Sequence, residues 1–246
     1  MHLEEFAEGT SLLHVADPRI KLVAATAFAI AVATADAYRA LLPALAIAAA
    51  LGAIARLDLR LLASRLLVVN VFVLLLWLFL PFTFPGTPVW HLGPLAATRE
   101  GIETSVLITL RTNAIVMATI SLLGTTSIFN LVHALRHLHV PDKLVHTFFF
   151  CYRYIAVIHL EYTRLRHAMR VRGFRPRTSI HTYKSYAYLV GMLLIKSYER
   201  SVRIYQAMLC RGFRGEYPTF HHFHLHRRDL VGLAVMGLLI GVIAWL

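Results

Sequence analysis

The sequence predicts an all-α polytopic membrane protein with about five transmembrane helices and a cytoplasmic helical domain containing two long helices. Three observations carry this. The 246 residues are 58% hydrophobic and only 15% charged, against roughly 25% charged in soluble domains. Five apolar runs recur along the chain. The net charge of +12 is segregated: 17 of the 25 Lys and Arg lie between residues 130 and 228, where the acidic residues are Asp142, Glu161, Glu199 and Glu216.

The apolar runs cover residues 20–35, 40–55, 66–82, 104–123 and 230–246. A helix needs about 17–25 apolar residues to cross a bilayer, and the last three runs meet this. The first two are shorter and Ala-rich, which suits either spans or a helical hairpin that penetrates partway. Arg111 falls within the fourth run, where an arginine is costly and needs a polar partner; Thr112 and Asn113 are the nearest in sequence. The segment 81–94, "PFTFPGTPVWHLGP", reads as a turn-rich loop at an interface. This divides the chain into a membrane domain of four spans (1–123), a cytoplasmic domain (124–229) and a last transmembrane helix (230–246).

Lys and Arg in short loops mark the cytoplasmic side. With 124–229 inside, the N-terminus with Arg19 and Lys21 is also inside, and so is the loop bearing Arg56, Arg60 and Arg65. The outer loops then hold only Arg39 and Arg99. The acidic start "MHLEEFAEGT" lacks the apolar core of a signal peptide. Cys151 and Cys210 lie in the basic region and read as reduced thiols. Positive charge beside several spans points to anionic lipid rather than to nucleic acid.

Within 124–229 the pattern is helical. "TTSIFNLVHALRHLHVP" opens on capping residues and stops at Pro141; a second helix runs over about 142–172 to Gly173; a third starts near 183 and runs to Arg211 before Gly212. His146 and Arg153 interrupt the apolar stretch 144–158, favouring a partly buried or interfacial helix over a span. In the third helix Tyr188, Met192, Ile195, Tyr198, Val202, Tyr205 and Leu209 form one apolar face, with Lys196, Arg200 and Arg203 off it.

The ends of the two long helices repeat. Residues 168–175 read "AMRVRGFR" and residues 207–214 read "AMLCRGFR", identical at six of eight positions. Glycine ends helices in the left-handed conformation, and Arg172 and Arg211 suit the negative end of a helix dipole. Capping accounts for one arginine and one glycine, not for the same frame twice. Helices of this length in antiparallel or crossed arrangement place their C-termini about 40 Å apart at ~1.5 Å per residue. Two equal charged ends, well separated, suit a partner with two equal sites.

With these motifs the chain resembles the transmembrane (T) component of energy-coupling factor transporters, in the CbiQ-like cobalt/nickel branch. The mark of that family is a pair of Ala-Arg-Gly motifs ending two cytoplasmic coupling helices. They correspond to "VRG" at 171–173 and "CRG" at 210–212, with Val171 and Cys210 in place of Ala. "SLLHVADPRIKL" (11–22), "TTSIFNLVHALRHLHVPDKL" and "YRYIAVIHLEYTRL" also look like family segments. The resemblance implies that 124–229 is a coupling domain and that the protein sits in the cell inner membrane. It implies two ABC-type ATPase partners, each accepting one arginine end, and a separate membrane substrate-binding (S) subunit; whether a small accessory membrane subunit joins them is left open. The implied docking residues are Ala168, Arg172, Gly173 and Phe174 with Ala207, Arg211, Gly212 and Phe213. ATP and Mg would sit on the partners, no cofactor on this chain, and Co2+ or Ni2+ would be the cargo. A vitamin-type importer and a stand-alone cation permease are the alternatives.

No G-x-x-x-x-G-K-[ST] or H-E-x-x-H pattern and no paired carboxylates appear, which argues against ATP hydrolysis or metal-dependent catalysis by this chain. His221, His222, His224 and His226 are candidate ligands for Ni2+ or Co2+, since imidazole suits those ions. The plainer reading of "FHHFHLHRRD" is a polar entry to the last span.

Overall fold

A computed structural model describes residues 9, 11–92, 95–138, 140–213 and 227–245. The helices are α1 (Leu12–Val15), α2 (Pro18–Thr34), α3 (Tyr38–Ala55), α4 (Leu59–Thr83), α5 (Arg99–Thr119), α6 (Ile128–His137), α7 (Asp142–Val171), α8 (Ile180–Cys210) and α9 (Arg227–Trp245). The protein is an all-α polytopic membrane protein. It divides into two units, one beginning at Asp142 and holding α7 and α8, the other holding the preceding helices and α9.

Among the described residues, three helices are long and apolar enough to cross a membrane: Tyr38–Ala55, Leu59–Thr83 and Arg99–Gly124. Helix α2 has 17 residues, and the apolar part of α9 is confined to Gly232–Ile243. Asp17 caps α2 by accepting from the Arg19 N–H at 2.9 Å, with Pro18 in the first turn. Asp58 starts α4 in the same way.

The membrane unit is built on small residues. Ala24, Ala25, Ala31, Ala40, Ala44, Ala48, Ala114 and Ala118 are buried with Phe28, Val32, Leu41, Leu51, Leu122 and Ile243. Alanine lets membrane helices approach closely enough for packing to hold them, since lipid offers no hydrophobic drive. α5 is the hub, packed against α2, α3 and α4, and it ends in a π-helical turn, Ile120–Gly124, that also packs on α2 and α3.

Polar pairs join helices far apart in sequence. Asn70 of α4 and Asn113 of α5 exchange amide hydrogen bonds at 2.9 Å. Trp77 Nε1 donates to Thr109 Oγ1 at 2.9 Å. Lys21, 2% exposed, donates to Thr126 Oγ1 at 2.7 Å. Arg111 reaches the α2–α3 turn, donating to the Ala35 carbonyl at 2.6 Å and to Asp36 Oδ1 at 3.1 Å. Its partners are therefore not Thr112 and Asn113, which the sequence suggested: a long guanidinium reaches a carboxylate on another element, and Asn113 is already engaged by Asn70. Tyr38 OH donates to the Glu103 carbonyl at 3.1 Å, so the α2–α3 turn meets α5 one to three turns inside its first residue.

Two sequence readings change here. The segment 81–94 is not all loop: strands β1 (Pro88–Leu92) and β2 (Leu95–Thr98) pair antiparallel, Pro88 with Thr98 and Leu92 with Leu95. Thr98 then caps α5, accepting from Gly101 N–H, while its hydroxyl donates to the Pro81 and Phe84 carbonyls. Helix α6, which the sequence boundary at 124 places with the cytoplasmic helices, packs against α2 in the membrane unit.

In the other unit α7 and α8 form an antiparallel hairpin. Leu165, Ala168, Met169 and Arg172 share a groove with Ser185, Tyr188, Leu189 and Met192, whereas Phe150, Tyr154 and Ile158 share one with Ile204 and Met208. Ser179 caps α8 by accepting from Thr182 N–H at 3.4 Å. Phe174 of the connector stands edge-to-face on Tyr186, ring centres 5.8 Å apart.

Candidate functional site

The two octapeptides form the same structure twice. In the first, Gly173 has φ +80°, its N–H donates to Arg170 C=O at 3.0 Å, and Phe174 N–H reaches back to Met169 C=O at 3.1 Å. In the second, Gly212 has φ +78°, its N–H donates to Leu209 C=O at 3.0 Å, and Phe213 N–H donates to Met208 C=O at 3.1 Å. Each is a Schellman cap, in which the residue after the glycine and the one five before it are the paired apolar positions. Those positions are Phe174 and Met169, which line one groove, and Phe213 and Met208. The cap thus accounts for Met, Gly and Phe in both copies. It leaves the arginines unexplained, because the last helical position accepts almost any residue.

Exposure follows the same frame. Ala168 and Ala207 are exposed, Met169 and Met208 half-buried, Arg172 and Arg211 exposed with their glycines, and Phe174 and Phe213 half-buried. Among the described residues neither Arg172 nor Arg211 makes a side-chain hydrogen bond or ion pair. Arg172 lines the groove of Leu165, Met169 and Phe174. The hairpin therefore presents two guanidiniums on hydrogen-bonded caps, one at the end of each helix. Arg172 lies beside Ser185 of α8, 26 residues before Arg211, so the two ends stand roughly 39 Å apart along the hairpin at 1.5 Å per residue. An exposed guanidinium supplies a planar fork of donors for carboxylates or helix carbonyls.

The electrostatic centre of the hairpin was not legible in the sequence. Glu161 of α7, its side chain 13% exposed, accepts from Lys196 Nζ of α8 and lies 3.8 Å from Arg164 Nη1 and 4.0 Å from Arg200 Nη2. The Lys196 ammonium bonded to it holds the Glu161 carboxyl below the usual carboxylate range; burial opposes this, and Arg164 and Arg200 add to it. The side of α8 that the sequence marked as polar consequently turns toward α7. The apolar stripe of Ile195, Tyr198, Val202, Tyr205 and Leu209 stays exposed. The available signal was a single acidic residue, Glu161, midway along a strongly basic helix.

Among the described residues no group of three or more His, Cys, Asp or Glu is placed to hold a metal ion. His221, His222, His224 and His226 lie outside the described residues. Cys151 and Cys210 are exposed free thiols.

A family model described as "Cobalt transport protein", CbiQ, matches residues 9–221. The nickel permease LarQ of Lactiplantibacillus plantarum is 29% identical over 145 residues, which is 59% of this chain and 50% of that protein. The energy-coupling factor transporter transmembrane protein EcfT of Thermosediminibacter oceani is 24% identical over 247 residues, 96% of this chain and 93% of its own. EcfT of Acidaminococcus fermentans is 27% identical over 254 residues, 97% and 94%. The chain spans half the length of the nickel permease and nearly the whole of both EcfT proteins.

Proposed function

The chain belongs to the CbiQ family of cobalt transport proteins, and from that premise we propose that it is the T component of an importer for cobalt or nickel ions. It is an energy-coupling membrane subunit. In the proposed assembly two ATPase subunits bind and hydrolyse ATP with Mg2+, and a separate membrane subunit captures the ion. This chain carries the motion of the first to the second and catalyses no reaction. The cargo class rests on the family's description, which names cobalt, and on the relative whose name gives nickel. The N-terminus and the α7–α8 hairpin are cytoplasmic in this reading, on the charge asymmetry of the loops.

The observation that carries the proposal is the duplicated cap. A surface designed only for solubility has no need to hold two exposed arginines in one backbone frame at the two ends of a hairpin. Two copies of one ATPase subunit offer two equal acceptors, and each arginine supplies charge-assisted hydrogen bonds that strengthen as the contact is desolvated. Half-buried Phe174 and Phe213 give each contact an apolar flank. Because each cap is closed by two backbone hydrogen bonds onto its helix, closure of the two ATPases is passed directly to α7 and α8.

The test is uptake of radiolabelled Co2+ and Ni2+ by cells co-expressing the chain with two candidate ATPases and a substrate-capture subunit. ATP-dependent uptake that needs all components is expected. A complex that assembles but moves neither ion points to another cargo. Uptake by the chain alone overturns the proposal in favour of a permease.

A further inference from the structure

Packing along the α7–α8 hairpin is sparse. Val145, Thr182 and Leu189 are its buried residues. On the Arg172 side the helices part around a groove of about 500 Å3, and on the other side around one of about 350 Å3 lined by Phe150, Tyr154, Ile204 and Met208. Lys196 borders the first groove and Arg200 the second, so the Glu161 contacts lie between them. Of the three acidic residues in the hairpin, Asp142 and Glu199 are exposed and only Glu161 is withdrawn from solvent.

We propose that Glu161 is a positioning residue: by binding Lys196 and Arg200 it fixes where α7 and α8 cross, so that the two arginine ends move as one body. Apolar contacts this few leave the crossing angle soft, since jigsaw packing is what ordinarily locks helices together. A carboxylate buried among three cations from two helices resists sliding, because separation strands a charge away from water. The geometry gives this leverage. Arg172 lies 11 residues beyond Glu161 and Arg211 15 residues beyond Lys196, arms of about 16 and 22 Å on opposite sides of the tie. A turn of about 10° at the tie shifts the ends by about 3–4 Å at that rise per residue, enough to break any hydrogen bond they make. This inference rests on the energy-coupling reading, and asks which residue makes the coupling element stiff.

The experiment uses Glu161→Gln, Lys196→Met and the exchange Glu161→Lys/Lys196→Glu in the full chain. Spin labels at Val171→Cys and Lys184→Cys, on the two helices at the same end of the hairpin, with Cys151 and Cys210 changed to Ser, report the distribution of distances between the helices there in lipid nanodiscs without partners. The distribution is expected to broaden in both single variants and to narrow again in the exchange. In the assembled complex, Glu161→Gln is expected to keep its ATPases and their hydrolysis rate while ions moved per ATP fall at least fivefold. Unchanged distances, or uptake and hydrolysis falling in proportion, overturn the proposal. Failure of the parent chain to bind ATPases would instead refute the energy-coupling reading, and the distance measurement does not depend on it.

Discussion

Substituting Gly173 by Ala isolates the cap from everything else at the site. The residue sits at φ +80°, and a Cβ added there meets nothing within 4 Å, so no clash contributes. The cost is the left-handed backbone itself, about 1–2 kcal/mol for an L-residue. At 1.4 kcal/mol per factor of ten, the capped end loses up to about 30-fold in population, and affinity for an ATPase that requires the capped end falls by up to the same factor. Gly212 at φ +78° is equally open, so Gly212→Ala is expected to match it, and the double variant to reach up to several hundredfold (about 4 kcal/mol at most) because distant sites add. Asn tolerates this region better than Ala, so Gly173→Asn is expected to lie between Gly and Ala. The assay is equilibrium binding of purified ATPase to the chain in nanodiscs, with hydrogen exchange at the last turn of α7 as the structural check. Wild-type binding by both Ala variants, with exchange visibly faster, would show that the caps do not aim the arginines.

Other outcomes follow from the packing. Gly101→Ala puts a Cβ 2.8 Å from the Leu80 carbonyl and from Pro81 Cα, backbone that cannot yield, and is expected to destabilise the α4–α5 pair by about 1–3 kcal/mol, read as a lower melting temperature in detergent. Asn70→Leu alone leaves Asn113 short of a partner and is expected to cost about 1–3 kcal/mol, whereas Asn70→Leu/Asn113→Leu recovers much of it; a double variant worse than the sum would contradict the pairing. Glu161, held down by Lys196, Arg164 and Arg200, contributes stability that is fully present above its unfolded value of about 4.3 and is lost as pH falls through the lower folded value. Protection of the hairpin amides, corrected for the intrinsic pH dependence of exchange, is therefore expected to be flat from pH 7 to 5 and to fall below the usual carboxylate range, and Glu161→Gln removes that fall.

Local features of this chain were readable and tertiary ones were not. Ser127 and the two Arg-Gly steps start or stop helices through neighbours a few residues away, so their positions followed from sequence. The octapeptide also announced itself, although only the backbone shows that Met and Phe belong to the cap and that the arginines do not. Arg111 with Asp36, Asn70 with Asn113 and Glu161 with Lys196 are 75, 43 and 35 residues apart, and nothing local selects those partners. The apolar stripe of α8 misled for the same reason: a helical period identifies a face but not its neighbour, and here a buried carboxylate on α7 drew the polar side inward. Helix α6 has a good cap and an amphipathic pattern in either unit, and only its packing on α2 assigns it.

The most direct test of the account is binding of the partner ATPases to the chain carrying Arg172→Glu, Arg211→Glu or both. Each single variant is expected to lose one of two ATPase subunits or most of its affinity, and the double variant to bind none, while the melting temperature of the chain falls only slightly, because both arginines are exposed and only their interaction with the helix dipole is lost. A double variant that retains both ATPases and transports at the parental rate would contradict the account and reduce the repeat to a pair of helix caps.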